Sequence, residues 1–182
     1  MSIEKLDRLQ IQHVLHLKKD GNVVSGTNRG MLYVWNGRTL MKTVRAYTSS
    51  AVLSLHGCAE GFCSGSANGR VRMWSTGLSP GGVFSVADLG SYEPAVTSVL
   101  WDPATDTVLL GTRGSEIYEI SATDGSDLHG GPLVQGHCEY KLCGLAIHPS
   151  KSEVCTVGDD KTVRVWDTQS KQLVKMTRLD AP

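Results

Sequence analysis

Four segments of the chain share one pattern, and this repeat limits what the chain can fold into. Each segment has the end of an apolar run, a tight polar turn, and alternating residues that lead to a bulky apolar side chain. The segments are SGTNRGMLYVWN, SGSANGRVRMWS, LGTRGSEIYEIS and TVGDDKTVRVWD, with bulky ends at Trp35, Trp74, Ile120 and Trp166. These ends lie 39, 46 and 46 residues apart. A period of about forty residues indicates a repeat protein in which each unit is one small motif stacked on its neighbours.

Each repeat can be divided into four short strands. The runs are rich in Val, Leu and Ile, several alternate with period two, and Gly, Asn, Asp, Ser or Pro separates them. No segment keeps helical apolar spacing for more than about two turns. We therefore predict an all-β chain with one repeat region, residues 1–182, whose four-stranded units cover approximately 11–46, 51–89, 95–136 and 142–179.

The fourth unit, GHCEYKLCGLAIHPSKSEVCTVGDDKTVRVWD, opens on Gly-His and closes on Trp-Asp. It resembles the WD40 repeat, which forms one four-stranded blade of a β-propeller. The resemblance implies that His137, Thr156, Asp160 and Trp166 form a buried hydrogen-bonded set. Buried imidazole, hydroxyl, carboxylate and indole groups each need a partner, and this order supplies one to each. We therefore assign these four residues a structural role rather than a catalytic one.

The other three units keep only part of this set, and we expect apolar packing to hold them together. The residues at its positions are Ser25, Arg29 and Trp35 in the first unit, Tyr47, Ser64, Asn68 and Trp74 in the second, and Leu110, Gly114 and Ile120 in the third.

The fourth unit is also similar to the repeats of the echinoderm microtubule-associated protein-like (EMAP-like) family, which carry runs of the kind GHxxGELWGLAxHPxxxxxxTxxDDKTVRxWD. The matching residues are Gly136, His137, Leu145, Ala146, His148, Pro149, Asp160, Lys161, Val163, Arg164 and Trp166. The runs YVWNGRTLMKTVRA, CAEGFCSGSANGRVRMW and LLGTRGSEIYEI look like the same family, so the resemblance covers most of residues 22–168. Tyr140, Lys141 and Cys143 depart from it, since they stand where the family usually has Gly, Glu and Trp.

The resemblance implies a function and a location. The family's tandem propellers are non-catalytic scaffolds, so we expect this chain to bind tubulin, microtubules or associated proteins. We expect it in the cytoplasm, on the microtubule cytoskeleton. The alternative is a generic WD40 scaffold subunit of another protein complex, and tubulin binding would distinguish the two.

The number of repeats raises the question of how the sheets close. WD40 propellers usually have seven blades, and an incomplete ring leaves strand edges and apolar faces open. We expect four blades of an incomplete WD40-like propeller, which would derive from a fragment, a short isoform or an incomplete gene model. The alternatives are a closed ring of four blades and self-association of two chains to complete a propeller.

Composition and motifs argue against several other functions. The 18 Lys and Arg residues balance 18 Asp and Glu residues, so we expect no general attraction to nucleic acid or membrane. Five irregularly spaced Cys residues suit a reducing compartment, and Cys63, Cys143 and Cys155 are expected to be small buried residues of core strands. No nucleophile elbow, phosphate-binding loop or paired zinc motif is present, so we predict no enzyme activity, cofactor or metal.

Basic residues recur in the turns between predicted second and third strands. We name Arg29, Arg70, Arg113 and Lys161 the basic rim, because these turns would share one edge of the blades. Loops on a rigid scaffold often carry function, and tubulin is acidic, so the basic rim is a candidate partner-binding surface. A merely solvated rim is the other interpretation. It is favoured by acidic residues that lie among the same loops, namely Asp106, Glu116, Asp159 and Asp160.

Overall fold

The computed structural model describes residues 9–138 and 142–179, so Tyr140 and Lys141 lie outside the described residues. Within these ranges it forms four antiparallel sheets, each built from four strands that are consecutive in the sequence. The strands are, for blade 1, β1 (Ile11–Leu17), β2 (Asn22–Thr27), β3 (Met31–Asn36) and β4 (Thr39–Arg45); for blade 2, β5 (Val52–Gly57), β6 (Gly61–Ser66), β7 (Arg70–Ser75) and β8 (Pro80–Ser85); for blade 3, β9 (Val96–Asp102), β10 (Thr107–Thr112), β11 (Glu116–Ser121) and β12 (Val134–Gln135); and for blade 4, β13 (Leu142–Ile147), β14 (Glu153–Gly158), β15 (Thr162–Asp167) and β16 (Leu173–Arg178).

The predicted fold class is confirmed: the chain is all-β, with four four-stranded blades of an incomplete propeller. The only helical segment in the described ranges is a short 3₁₀ turn, Val86–Leu89. The chain divides into two compact units, Met1–Val134 and Gln135–Pro182. Blades 1 to 3 belong to the first unit up to Val134, and blade 4 belongs to the second.

The turn between the second and third strands has the same backbone shape in every blade. One residue in each such turn has a positive φ: Gly30 (73°), Gly69 (77°), Ser115 (57°) and Lys161 (58°). Glycine is required at the first of these, because a Cβ atom on Gly30 would lie 2.3 Å from the carbonyl oxygen of Tyr47. The repeat in the sequence is therefore a repeat of turn geometry.

The first unit has an apolar core in two parts. One cluster lies between blades 1 and 2 and includes Leu32, Val52 and Phe62, which are completely or almost completely buried. A second cluster joins blades 2 and 3 through side chains such as Val96 and Leu110. The first strands β1, β5 and β9 pack against one another in series, so blade 2 contacts both of its neighbours.

Blade 4 is stabilised differently. Its buried side chains are polar: Thr156, Asp160, Thr162 and Arg164. Its first strand β13 is exposed throughout, with Leu145 63% and Ile147 74% exposed. Self-association of two chains, the alternative that would complete a propeller, stays untested, and β13 is an exposed apolar strand that such a contact could cover.

We expect the two kinds of apolar side chain to respond differently to truncation. Leu32→Ala should lower the free energy of unfolding of the first unit by about 2–5 kcal/mol, because it leaves a cavity in a buried cluster. The matched variant Leu145→Ala should change the stability of blade 4 by about 0.5 kcal/mol or less. Hydrogen exchange of the strand amides in the mutated blade measures both. A large loss in the Leu145 variant would show that β13 is covered in solution.

Candidate functional site

The structure brings His137, Thr156, Asp160 and Trp166 together in blade 4. The indole Nε1 of Trp166 donates to Thr156 Oγ1 at 2.8 Å, and Thr156 Oγ1 lies 2.9 Å from His137 Nε2. His137 Nδ1 lies 3.0 Å from both carboxylate oxygens of Asp160. Because a carboxylate can only accept, Nδ1 carries the hydrogen, and Nε2 accepts from the Thr156 hydroxyl. Each of the four side chains thus has a hydrogen-bond partner within the set.

Asp160 is fully buried and is also the centre of a second group of donors. Thr162 Oγ1 donates to Asp160 Oδ1 at 2.8 Å, and the Arg164 guanidinium donates to Oδ2 at 3.2 Å. Burial by itself would raise the pKa of the Asp160 carboxyl, but the hydrogen bonds from His137, Thr162 and the Cys138 backbone outweigh it and lower the pKa to about 2. Asp160 is therefore a buried anion with a complete set of partners.

Sequence reasoning gave no role to Thr162 and Arg164, although both are buried. Arg164 Nε donates to Thr162 Oγ1 at 3.1 Å, and its Nη1 donates to the carbonyl oxygen of Gln135 at 2.7 Å. Thr162, Arg164 and Trp166 alternate along β15, so they share one face of the sheet. This alternation was the available signal, since an indole expected to bond inside the blade predicts an enclosed environment for two polar residues on the same face.

Blades 1 and 2 keep the link between the second and third strands. Trp35 Nε1 donates to Ser25 Oγ in blade 1, and Trp74 Nε1 donates to Ser64 Oγ in blade 2, both at 2.9 Å. In blade 2 the Tyr47 hydroxyl takes the place of the histidine and lies 2.8 Å from Ser64 Oγ. Burial raises the pKa of Tyr47, so its hydroxyl stays neutral.

Blade 3 has a buried polar set that sequence reasoning missed. Glu116 is 1% exposed, whereas the sequence placed it among the acidic loop residues. Its carboxylate accepts from the Thr112 hydroxyl at 3.0 Å, from the Tyr92 backbone N–H at 3.2 Å, and from the Ser91 hydroxyl. Burial and the nearby Glu116 carboxylate raise the pKa of Tyr118 to about 12. Leu110 and Ile120 hold the positions of Thr156 and Trp166 and pack in the apolar cluster.

The four residues of the basic rim lie at equivalent places in their blades. Arg29, Arg113 and Lys161 are in the turns between second and third strands, and Arg70 is the first residue of β7. All four side chains are exposed. In the first unit, Arg29, Arg70 and Arg113 therefore mark the same end of three consecutive blades. We refer to this end of a blade as its turn end.

The cysteines are not equivalent to one another. Cys63 is completely buried, as expected, but Cys155 is only half-buried and Cys143 is exposed. The expectation of a buried Cys143 was wrong, because the whole of β13 is exposed, and its thiol instead donates to Asp159 Oδ1 at 2.9 Å. Across residues 9–138 and 142–179, no three His, Cys, Asp or Glu side chains are grouped closely enough to hold a metal ion. None of the helical structure in those ranges is long and apolar enough to cross a membrane.

Comparison with known proteins agrees with the blade geometry. The family model for the WD domain, G-beta repeat, matches residues 38–75 and 131–167. Echinoderm microtubule-associated protein-like 2 from Mus musculus is 32% identical over 166 residues, which are 89% of this chain and 24% of that protein. Its counterpart from Homo sapiens is 33% identical over 84% of this chain and 23% of that protein. WD repeat-containing protein 90 from Mus musculus is 28% identical over 82% of this chain and 8% of that protein.

The four-stranded blades, the indole-to-hydroxyl bonds and the matched repeats define a WD40-repeat protein. Its sequence is that of an EMAP-like protein, which confirms the resemblance inferred from its motifs. The chain spans about a quarter of the length of these EMAP-like relatives.

The buried carboxylate should make blade 4 sensitive to acid. The pKa of Asp160 is about 2 in the folded chain and 3.8 in the usual case, so its charged form contributes stability above pH 3.8 that is lost as the pH falls towards 2. Asp160→Asn should destabilise blade 4 by about 3–5 kcal/mol at neutral pH, because Arg164 loses its counter-ion. The variant should also show a flatter acid dependence between pH 4 and 2. Hydrogen-exchange protection of the Trp166 indole N–H, measured by NMR, reports the stability of blade 4. An equal pH dependence of this protection in the variant and in the unmodified chain would contradict the role assigned to Asp160.

The Thr156 hydroxyl should matter more than an exposed hydroxyl in the same blade. Thr156→Val removes the acceptor of Trp166 and the donor to His137, so we expect a loss of about 1–3 kcal/mol for each group left without a partner. The control is Thr177→Val on the exposed face of β16, which should change stability by about 0.5 kcal/mol or less. Hydrogen exchange of the β15 and β16 strand amides reports the stability of blade 4 in both variants.

Proposed function

We propose that this chain is a non-catalytic protein-docking part of a WD40 propeller and that its partner is tubulin or the microtubule. The observation that carries the proposal is the set of exposed cationic side chains Arg29, Arg70 and Arg113 at the turn end of three consecutive blades in one unit. The proposal places the protein in the cytoplasm, on the microtubule cytoskeleton.

The rigidity of the blades supports a docking role. The turns that carry the basic rim are anchored to buried groups: Gly30 N donates to Thr27 O, and both Ala46 and Tyr47 donate to Gly30 O. In blade 2, Asn68 N donates to the Ser50 hydroxyl at 3.0 Å. Because the turns are held in place, their side chains can meet a partner without a large loss of conformational entropy.

The choice of partner is supported by the relatives. The EMAP-like proteins from Mus musculus and Homo sapiens carry a name that describes them as microtubule-associated protein-like. Tubulin is an acidic protein, and exposed arginines suit acidic surfaces because they form bidentate bonds with carboxylates. Glu116 is buried inside blade 3, so its carboxylate is not presented to a partner at the surface.

The non-catalytic part of the proposal rests on how the reactive groups are used. His137 and Asp160 are hydrogen-bonded to each other, and the Thr156 hydroxyl is held between His137 and the Trp166 indole. Thr156 is 8% exposed. A nucleophile has to reach its substrate, and this hydroxyl is enclosed by its structural partners.

Tubulin binding should depend on the turn end of the blades. Arg29→Glu together with Arg113→Glu should weaken binding of soluble tubulin by at least roughly tenfold, because each reversal replaces an attraction with a repulsion. The matched control is Lys19→Glu together with Arg38→Glu, two exposed cations in the turns at the opposite end of blade 1. Biolayer interferometry with immobilised tubulin measures the affinity of each variant at constant salt.

Each result decides between defined alternatives. Weak binding by the turn-end variant alone supports the proposed surface. Equal weakening by the control variant would indicate non-specific charge attraction instead. A well-folded chain that ignores tubulin would favour the generic WD40 scaffold of another complex.

A further inference from the structure

Between blades 1 and 2, a cavity of about 190 Å³ contains three arginines. It is lined by Arg45, Ala46, Tyr47, Thr48, Asn68, Arg70 and Arg72. Arg45 pairs with Met31 in the β3–β4 ladder, so it lies at the turn end of blade 1, and Arg70 lies at the turn end of blade 2. The cavity is therefore a pocket at the turn end of the first unit.

The arginines of this pocket have no counter-ion in the part of the chain that the structure describes. Within residues 9–138 and 142–179, none of Arg45, Arg70 and Arg72 forms an ion pair with an acidic residue. The Nε atom of Arg72 is buried and has no hydrogen-bond partner there. Its guanidinium carbon lies 5.9 Å from the ring centre of Tyr47 and 5.6 Å from that of Trp74, so the two aromatic rings fix its position. A buried donor without an acceptor is costly, which marks Arg72 as a group that needs one.

Blade 4 indicates which group would pair with Arg72. Arg72 pairs with Ser64 as Arg164 pairs with Thr156, so the two arginines hold the same position in their blades. Arg164 binds the Asp160 carboxylate at 3.2 Å and donates from Nε to the Thr162 hydroxyl. In blade 2 these two positions are occupied by Asn68 and Arg70. One substitution removes the carboxylate, and the other replaces the hydroxyl acceptor with a second cation.

We infer that this pocket binds a carboxylate supplied from outside the chain, namely an Asp or Glu side chain of a protein partner. The ligand would supply the carboxylate that Asp160 supplies in blade 4, and it would lie between Arg72 and the exposed Arg45 and Arg70. Asn68 adds an amide donor, since its carbonyl oxygen already accepts from the Ser66 hydroxyl at 2.5 Å. The inference rests on the proposed protein-docking role and adds the chemistry of one contact.

The size of the pocket favours a side chain over a whole small molecule. Ligand pockets for drug-sized compounds are roughly 300–1,000 Å³, and this cavity is smaller. It has room for one acidic group, which an extended acidic segment of a partner can insert from the turn end. Paired arginine forks match the planar carboxylate in geometry as well as in charge.

The test uses fluorescein-labelled hexaglutamate and hexaglutamine peptides in fluorescence anisotropy, with the full chain at about 0.15 M salt, where long-range attraction is screened. We expect the glutamate peptide to bind at least roughly tenfold more tightly than the glutamine peptide. Arg70→Gln should remove most of this preference, since the exposed side chain contributes charge to the pocket but no internal bond. Arg38→Gln is the control, because it removes one exposed cation at the other end of the blades.

Asn68→Asp is the decisive variant. It restores the internal carboxylate that blade 4 has, so it should raise the melting temperature of the first unit and weaken the glutamate peptide by roughly tenfold. Arg38→Gln makes the same change in net charge and should do neither. Equal binding of the two peptides, equal loss in the control, or unchanged binding by Asn68→Asp would each overturn the inference.

A phosphoserine peptide of equal length completes the experiment. Tighter binding of that peptide than of hexaglutamate would overturn the assignment of a carboxylate ligand. Because no tubulin is used, failure of the peptide experiment and failure of tubulin binding are separate results.

Discussion

The bond between the indole of the third strand and the hydroxyl of the second strand is the interaction on which this architecture depends. It recurs with nearly constant length as Trp35 to Ser25, Trp74 to Ser64 and Trp166 to Thr156. An indole N–H removed from water is stabilised by an acceptor, so we expect the two residues to be kept or lost together. Blade 3 shows the second outcome, because both positions are aliphatic there and enter the apolar cluster.

Blades 2 and 4 differ in how the arginine on the third strand, Arg72 or Arg164, is neutralised. Blade 4 supplies Asp160 to Arg164, and this buried pair compensates for a blade that buries no apolar side chain among its described residues. Blade 2 keeps the equivalent Arg72 but has Asn68 in place of the acid, and it relies on apolar packing such as the stacked rings of Phe62 and Trp74, whose centres are 5.7 Å apart. Blade 2 can leave an arginine available because its fold does not depend on pairing it.

Sequence patterns predicted the fold well because a repeat supplies many consistent local signals at once. Alternation, turn residues and the period of the tryptophans each pointed to four-stranded blades, and the turn between second and third strands kept its geometry even where Ser115 and Lys161 replace glycine. The buried role of Glu116 was not predictable in the same way. Two of its hydrogen-bond donors come from Ser91 and Tyr92, outside its own hairpin, and no spacing rule links these residues to Glu116. The exposure of Cys143 was missed for a related reason. The apolar pattern of a strand does not show whether another sheet covers that strand.

We propose that the scaffold supplies Arg164 with its own carboxylate, Asp160, and leaves Arg72 to bind a carboxylate of a partner protein. Arginine side-chain NMR tests this directly, because a paired guanidinium rotates slowly about its Nε–Cζ bond and a free one rotates fast. We expect separate Nη signals for Arg164 in the free chain, and averaged Nη signals for Arg72 that separate only when an acidic peptide is added. Separate signals for both arginines in the free chain would show that Arg72 already has an internal partner and would contradict the account.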